Sequence, residues 1–323
     1  MKETKRLDEI DILKSIGIIL MIMGHIGFGK IFDYYIHSFH MPMFYIISGF
    51  LYTNSSLPFK DFLKKKSKSL LIPYIIFAFF HLISWYILCF IVGRDLSIVN
   101  LISIFTFNTD NMPISGALWF LTSLFFVDII YYFINRINDK KFKLLTVVII
   151  SMIGCIIPRY FRLPWALDTS LMGIGLYYIG HLYRKNNKKG DNWPISIICL
   201  VLGSILTFLN GYINVRQGLY SNIFLYYIVA ALMTLGLYGF SRIICYFNSL
   251  IINELKFIGN NSLVYVCLNQ LFLLVLNKLG TLFLNNFLLL LVYKMCSLII
   301  VLGILHIATI MLNMNQTKWI VGK

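Results

Sequence analysis

The feature that most constrains this chain is a set of long windows that contain no Lys, Arg, Asp or Glu at all: residues 69–93, 192–215, 217–241 and 257–277. A helix needs about 20 apolar residues to cross the hydrocarbon core of a bilayer, and lipid leaves backbone groups no partner outside the segment itself. Each window therefore reads as a transmembrane helix. Across the 323 residues, 59% are hydrophobic and 13% are charged, against roughly a quarter charged in soluble domains. That balance excludes a soluble enzyme, and the expected fold class is an all-α polytopic transmembrane helix bundle.

Apolar runs between polar breaks predict about ten spans, near residues 10–28, 31–52, 69–92, 117–134, 143–158, 165–183, 194–210, 220–240, 257–277 and 286–312, with residues 96–116 as a candidate interfacial helix. The net charge of +15 raises the question of a nucleic-acid partner, and the placement of the 28 Lys and Arg argues against one. Twenty fall in alternate loops, among them Lys2, Lys5 and Arg6, the run Lys60 to Lys68, Arg136 to Lys143, Arg184 to Lys189, and Lys323. Six fall in the other set, namely Lys30, Arg94, Arg159, Arg162, Arg216 and Lys278, and only Lys14 and Lys294 lie within spans. Under the positive-inside rule this split predicts both termini in the cytoplasm, with the charge serving topology.

The six cysteines sit in apolar segments without CxxC spacing, so neither a disulfide nor a zinc site is expected. The first apolar segment has no A-x-A site and is followed by further spans, so it is expected to stay in the mature protein. With no fixed-period repeat and no long linker, residues 1–323 are expected to form a single membrane domain.

A charge at mid-bilayer costs about 2.5–3.5 kcal/mol on insertion scales, so each ionisable group within a span needs a function or a partner. In the first span, IDILKSIGIILMIMGHIG, eleven residues separate Lys14 from His25. That spacing returns to within about 20° of the same face, about 16 Å along the axis. One face thus carries a cation near the inner surface and an imidazole near the outer one. Lys14 reads either as a snorkelling or Asp11-paired cation or as a ligand contact, and His25 either as a bundle hydrogen bond or as a working base.

The second span carries His37, His40, Pro42, Ser48 and Gly49, residues suited to a helix bent around a cavity. A metal on His25, His37 and His40 lacks a carboxylate or an evident close third ligand, and no metal is expected. Asp168 follows PRYFRLPW, so Arg159, Arg162 and Asp168 cluster at the outer mouth. Asp168 then either orients the His25 imidazole or pairs with Arg162. Asp128 and Lys294 form either one ion pair or two separate contacts. Trp119 and Trp165 are either interfacial anchors or an aromatic platform.

With these residues in view, the chain resembles the acyltransferase 3 family of integral membrane acyltransferases, in particular its fucose 4-O-acetylase-like branch. The resemblance rests on IDILKSIGIILMIMGH, with a basic residue, a ten-residue gap and a His at Lys14 and His25, and on FHMPMFYIISGFLY, through His40, Pro42, Ser48, Gly49 and Phe50. KKKSKSLLIPY, ALWFLTSLF and FIGNNSLVYVCLNQLF extend it over nearly the whole chain. One departure is Asn269, which stands where many relatives carry His; an amide can hydrogen-bond but is no base near neutral pH.

The resemblance implies transfer of an acyl group, usually acetyl from acetyl-CoA, to a carbohydrate hydroxyl across the membrane, with no tightly bound cofactor and with the lipid bilayer, acyl-CoA and a carbohydrate acceptor as partners. It implies His25 as general base, with Asp168 and His40 assisting. Lys14, Lys65, Lys66 and Lys68 become acyl-CoA contacts, and Arg159, Arg162, Trp165 and Asn269 acceptor contacts. No hydrolase-like domain follows the membrane part, which suits a stand-alone member. The Ile-, Asn- and Lys-rich usage suggests a bacterial plasma membrane. The rival readings are a transporter or flippase of a polysaccharide precursor, which ten spans with intramembrane charges would suit, and a non-catalytic sensor that keeps the fold.

Overall fold

The computed structural model describes residues 7–53, 57–95, 97–110, 112, 114, 117–186, 193–280 and 286–323. Lys2, Lys5, Arg6, Lys188 and Lys189, which contribute to the loop-charge asymmetry, lie outside them. Among the described residues the protein is all helical, and its nearest approach to a sheet is an isolated bridge between Asn214 and Leu219.

The helices are α1 (Asp8–Ile26), α2 (Lys30–His37), α3 (His40–Leu51), α4 (Phe59–Lys66), α5 (Ile72–Val92), α6 (Ile98–Phe105), α7 (Trp119–Ile134), α8 (Lys140–Ile156), α9 (Leu167–Asn186), α10 (Trp193–Asn210), α11 (Ile223–Ile244), α12 (Leu250–Asn260), α13 (Ser262–Gly280) and α14 (Phe287–Leu312). A π-helical segment, Ser67–Leu71, joins α4 to α5 without a break. Side-chain oxygens of Asp139, Asn222, Ser249 and Asn286 cap the N-termini of α8, α11, α12 and α14, accepting backbone N–H groups that a helix leaves unpaired. The end of the bundle at which α1 finishes is its top.

Among the described residues, six helices are long and apolar enough to cross a membrane: Phe59–Val92, Lys140–Arg159, Trp193–Asn210, Ile223–Ile244, Ser262–Gly280 and Phe287–Leu312. The chain is a multi-pass membrane protein. Four of the expected spans fall outside this set for identifiable reasons. α1 opens on Asp8, Glu9, Asp11 and Lys14, α7 has 16 residues, α9 carries Asp168, Arg184 and Lys185, and the segment expected at 31–52 is two helices.

Of these, α1, α3, α7 and α9 are also the inner elements. Ten of the 12 residues of α3 are buried, whereas α8, α10 and α14 bury only 22% of their apolar windows and present Ile, Leu and Val outward. A helix apolar on all sides belongs against lipid, and a helix bearing polar groups must turn them toward protein. The less hydrophobic helices therefore make the centre.

Two expected spans prove to be broken. At 31–52 the chain leaves α2 at Ser38 and restarts at His40. The restart puts Pro42 in the first turn of α3, where a missing N–H costs no helical hydrogen bond. At 257–277 the break is Asn261, whose Nδ2 donates to Phe257 O and whose Oδ1 accepts from Asn313 Nδ2 and Lys323 Nζ, each at 2.9 Å. Neither point carries Lys, Arg, Asp or Glu, so a search for charge-free windows does not show the breaks.

The centre is built on close backbone approach. α3 lies against α9 with Gly49 over the Tyr177 carbonyl and Gly180 over the Ile46 carbonyl, and a Cβ at either position would overlap that oxygen. Small residues of this kind let membrane helices gain dispersion energy where lipid supplies no hydrophobic drive.

Candidate active site

At the top, α1 delivers His25 to a cavity of about 400 Å³, lined also by His37, His40, Trp119, Asp110 and Arg216. The histidine tautomers follow from their partners. Asn269 is fully buried, and its Nδ2 donates to Tyr265 O at 2.8 Å and to Val266 O at 2.9 Å. Those two bonds turn its Oδ1 toward His25 Nδ1, 2.8 Å away. An amide oxygen only accepts, so the proton sits on His25 Nδ1 and Nε2 keeps its lone pair.

His40 Nδ1 donates to Ile36 O at 2.7 Å and His37 Nδ1 to Asp33 O at 2.6 Å. The break after α2 brings these two rings to 5.2 Å between centroids, edge to face. All three imidazoles are thus fixed in the Nε2-basic form. Among the described residues, no three His, Cys, Asp or Glu side chains are grouped to hold a metal ion.

Replacing Asn269 with Leu removes the acceptor that orients His25 while keeping similar bulk. The expected result is a roughly tenfold fall in kcat, the worth of one lost hydrogen bond, with KM for the acceptor unchanged. Steady-state acyl transfer by the purified variant checks it.

A second cavity, of about 390 Å³, opens near the bottom and is lined by Tyr52, Phe62, Lys65, Lys66, Asp128 and Tyr177, among others. Lys66 Nζ lies 2.8 Å from Asp128 Oδ2, and Tyr177 OH donates to Asp128 Oδ1 at 2.8 Å. Asp128 is 2% exposed. A buried carboxylate so held is costly to disturb from one side: Asp128→Ala leaves Lys66 and the Tyr177 hydroxyl without their acceptor. The variant is expected to lose about 3–5 kcal/mol of stability, read as a lower unfolding temperature in detergent.

The two cavities are stacked along the same pair of helices. α3 contributes Met41 to the upper and Ser48 to the lower, and α7 contributes Trp119 and then Leu124 and Asp128. Between them lies an aromatic layer in which the Phe120 ring meets Phe44 at 5.9 Å and Tyr45 at 5.0 Å. Gly17 of α1, lying between Lys14 and His25, makes room for Phe44.

Of the residues singled out in the sequence, His25, His40 and Trp119 line the upper cavity, and Asn269 holds His25. Lys65 and Lys66 line the lower one. Lys14 lies 3.5 Å from Asp11 and lines neither, and Lys68 and Arg159 are exposed elsewhere on the surface. Asp168 does not reach His25: it is fully buried and pairs with Arg162 at 2.5 Å. Trp165 has a positive φ of 54° and packs on Tyr74 and Phe126, outside the upper cavity. Asp128 and Lys294 are not a pair, since Lys294 Nζ donates to Gly27 O.

Sequence reasoning passes over Arg216, which it counts as an outer loop charge. The structure folds it inward on a short turn. Burial pushes its pKa down from the ordinary value, and the nearby Asp110 carboxylate opposes that shift. The signal available is the turn itself, an arginine between Gly211 and Gly218.

The sequence matches the family model described as an acyltransferase domain, acyltransferase 3, over residues 7–306. The chain belongs to the acyltransferase 3 family. No curated protein and no solved structure matches it. Members of the acyltransferase 3 family are acyltransferases, so this chain is an enzyme that transfers acyl groups other than aminoacyl groups. The match runs through α1 and α3, which supply His25 and His40, and through α13, which supplies Asn269.

Proposed function

We propose that this acyltransferase moves an acetyl group from cytosolic acetyl-CoA to a hydroxyl of a cell-surface or lipid-linked carbohydrate, in the plasma membrane of a bacterium. The observation that carries the reading is His25, pinned through Nδ1 by Asn269 with Nε2 left basic beside a cavity large enough for a sugar. The lower cavity, with Lys65 and Lys66, offers the cations that an anionic donor needs at the opposite end. Both termini lie in the cytoplasm in this reading, with about ten crossings in all: the six apolar helices and the inner elements α1, α2 with α3, α7 and α9.

In the reaction, His25 Nε2 accepts the proton of the sugar hydroxyl as its oxygen attacks the thioester carbonyl. The tetrahedral intermediate collapses, the C–S bond breaks, and the CoA sulfur leaves with the proton returned by the imidazolium. The products are an ester and free CoA, with charge and atoms balanced. His40 is the second imidazole at the acceptor, and Trp119 supplies an aromatic wall. In this reading the donor reaches the hydroxyl between α3 and α7, past Phe44 and Phe120, and not along the Lys14 face of α1. In this reading the chain falls in the fucose 4-O-acetylase-like branch, which the first-span and α3 signatures resemble.

Mild alkali should release acetate from the surface polysaccharide of cells expressing this protein and not from cells lacking it. Equal release from both would overturn the assignment of acceptor and activity.

A further inference from the structure

Among the described residues that line the upper cavity, Arg216 alone carries a permanent positive charge. The fold commits several bonds to hold it there. Its Nε donates to Thr109 O at 2.7 Å, and its own carbonyl accepts from Arg162 Nη1 at 2.9 Å. Arg162 is in turn fixed by the fully buried Asp168. Reciprocal backbone bonds between Asn214 and Leu219, both 2.9 Å, close the turn that carries Arg216. Trp165 N donates to Thr106 O at 2.7 Å and ties down the segment that supplies Thr109.

With Nε engaged, the two Nη groups of Arg216 make no hydrogen bond or ion pair among the described residues. Asp110 lines the same cavity but acts on Arg216 only through space. A half-buried guanidinium fixed at one edge and free at the other is built for an incoming two-oxygen anion, because its planar fork matches carboxylate or phosphate bidentately.

We propose that Arg216 is an anion subsite for the acceptor, so that the sugar whose hydroxyl His25 deprotonates carries a carboxylate or a phosphate. The substrate class is an acidic saccharide, and Arg162 and Asp168 are positioning residues for the subsite. This rests on the acyl-transfer reading for its choice of ligand. A neutral sugar would leave the cation without a partner inside the cavity, which costs affinity.

The test uses the full chain in lipid nanodiscs, with methyl glucuronide, glucose 6-phosphate and methyl glucoside as probes. Binding is measured without donor, and acetyl transfer is measured with acetyl-CoA. At least one anionic probe should bind about tenfold or more tighter than the neutral one, the scale of a charge-assisted hydrogen bond, and the two anions compared tell carboxylate from phosphate. Arg216→Gln should erase the preference, Arg216→Lys should keep part of it, and Asp110→Asn should tighten anion binding. In the Arg216→Gln background the same Asp110→Asn change should give a much smaller gain, a dependence that a purely structural role for Arg216 does not produce.

Equal binding of all three probes by the wild type overturns the proposal. So does an Arg216→Gln variant that binds as the wild type does but loses kcat equally on every acceptor, since Arg216 would then stabilise the oxyanion of the transition state. Because binding is read without donor, an anion preference with no acetyl transfer would leave the subsite standing and remove the proposed reaction instead.

Discussion

Replacing His25 with alanine is expected to lower the acyl-transfer rate about 10²- to 10⁴-fold, the usual worth of a positioned general base, in a protein that still folds. The fold survives because the top of α1 is anchored through its backbone. Asn277 Nδ2 donates to His25 O at 2.9 Å and Lys294 Nζ to Gly27 O at 2.5 Å, and neither bond uses the imidazole. The local cost is the Asn269 oxygen left without a donor, about 1–3 kcal/mol. Rate per folded enzyme, with the amount fixed by size-exclusion chromatography in detergent, separates chemistry from stability. A variant that retained wild-type turnover would remove His25 from the reaction.

Gly180→Val is expected to leave no folded protein. The Cβ would overlap the Ile46 carbonyl, and neither partner can yield, because the obstacle is backbone of α3 and not the end of a flexible side chain. Separating α3 from α9 by even about one ångström forfeits the dispersion contacts along their whole shared length. It would also withdraw α3, which carries His40, from the cavity. Gly303→Ala on α14 is the matched control. Nothing lies within 4 Å of the Cβ it would add, and replacing glycine in a helix interior gains up to about 1 kcal/mol. Comparable yields of folded Gly180→Val and Gly303→Ala protein would show that the α3–α9 contact tolerates a side chain.

The central arrangement also explains why a composition-based reading of spans is least secure where it matters most for function. Lipid-facing helices announce themselves by hydrophobicity, because their surroundings are hydrocarbon. α1, α7 and α9 instead face other helices, and Asp11, Asp128, Asp168 and Lys14 find partners there. A single contact of this kind can be guessed from spacing, as with Asp11 and Lys14, three residues apart on one helix. Lys66 with Asp128 joins residues 62 positions apart, and nothing in either local sequence names the other. The choice between Arg162 and His25 as partner of Asp168 is open in the sequence for the same reason, and distance decides it.

The sequence by itself determined that this chain is a helical membrane protein, that the first span carries a base on a face shared with Asp11 and Lys14, and that His40 and Pro42 lie in the segment that follows it. Those are consequences of hydropathy and of 3.6-residue periodicity, which act within a single segment. The amide that sets the His25 tautomer comes from α13, 244 residues away, and the cation that joins His25 in the cavity comes from the turn before α11. The stacking of the two cavities depends on how α3 and α7 lie side by side. All three were decided only by tertiary structure, because each requires groups from different helices to meet at hydrogen-bonding or van der Waals range, and no periodicity within one helix encodes its neighbour.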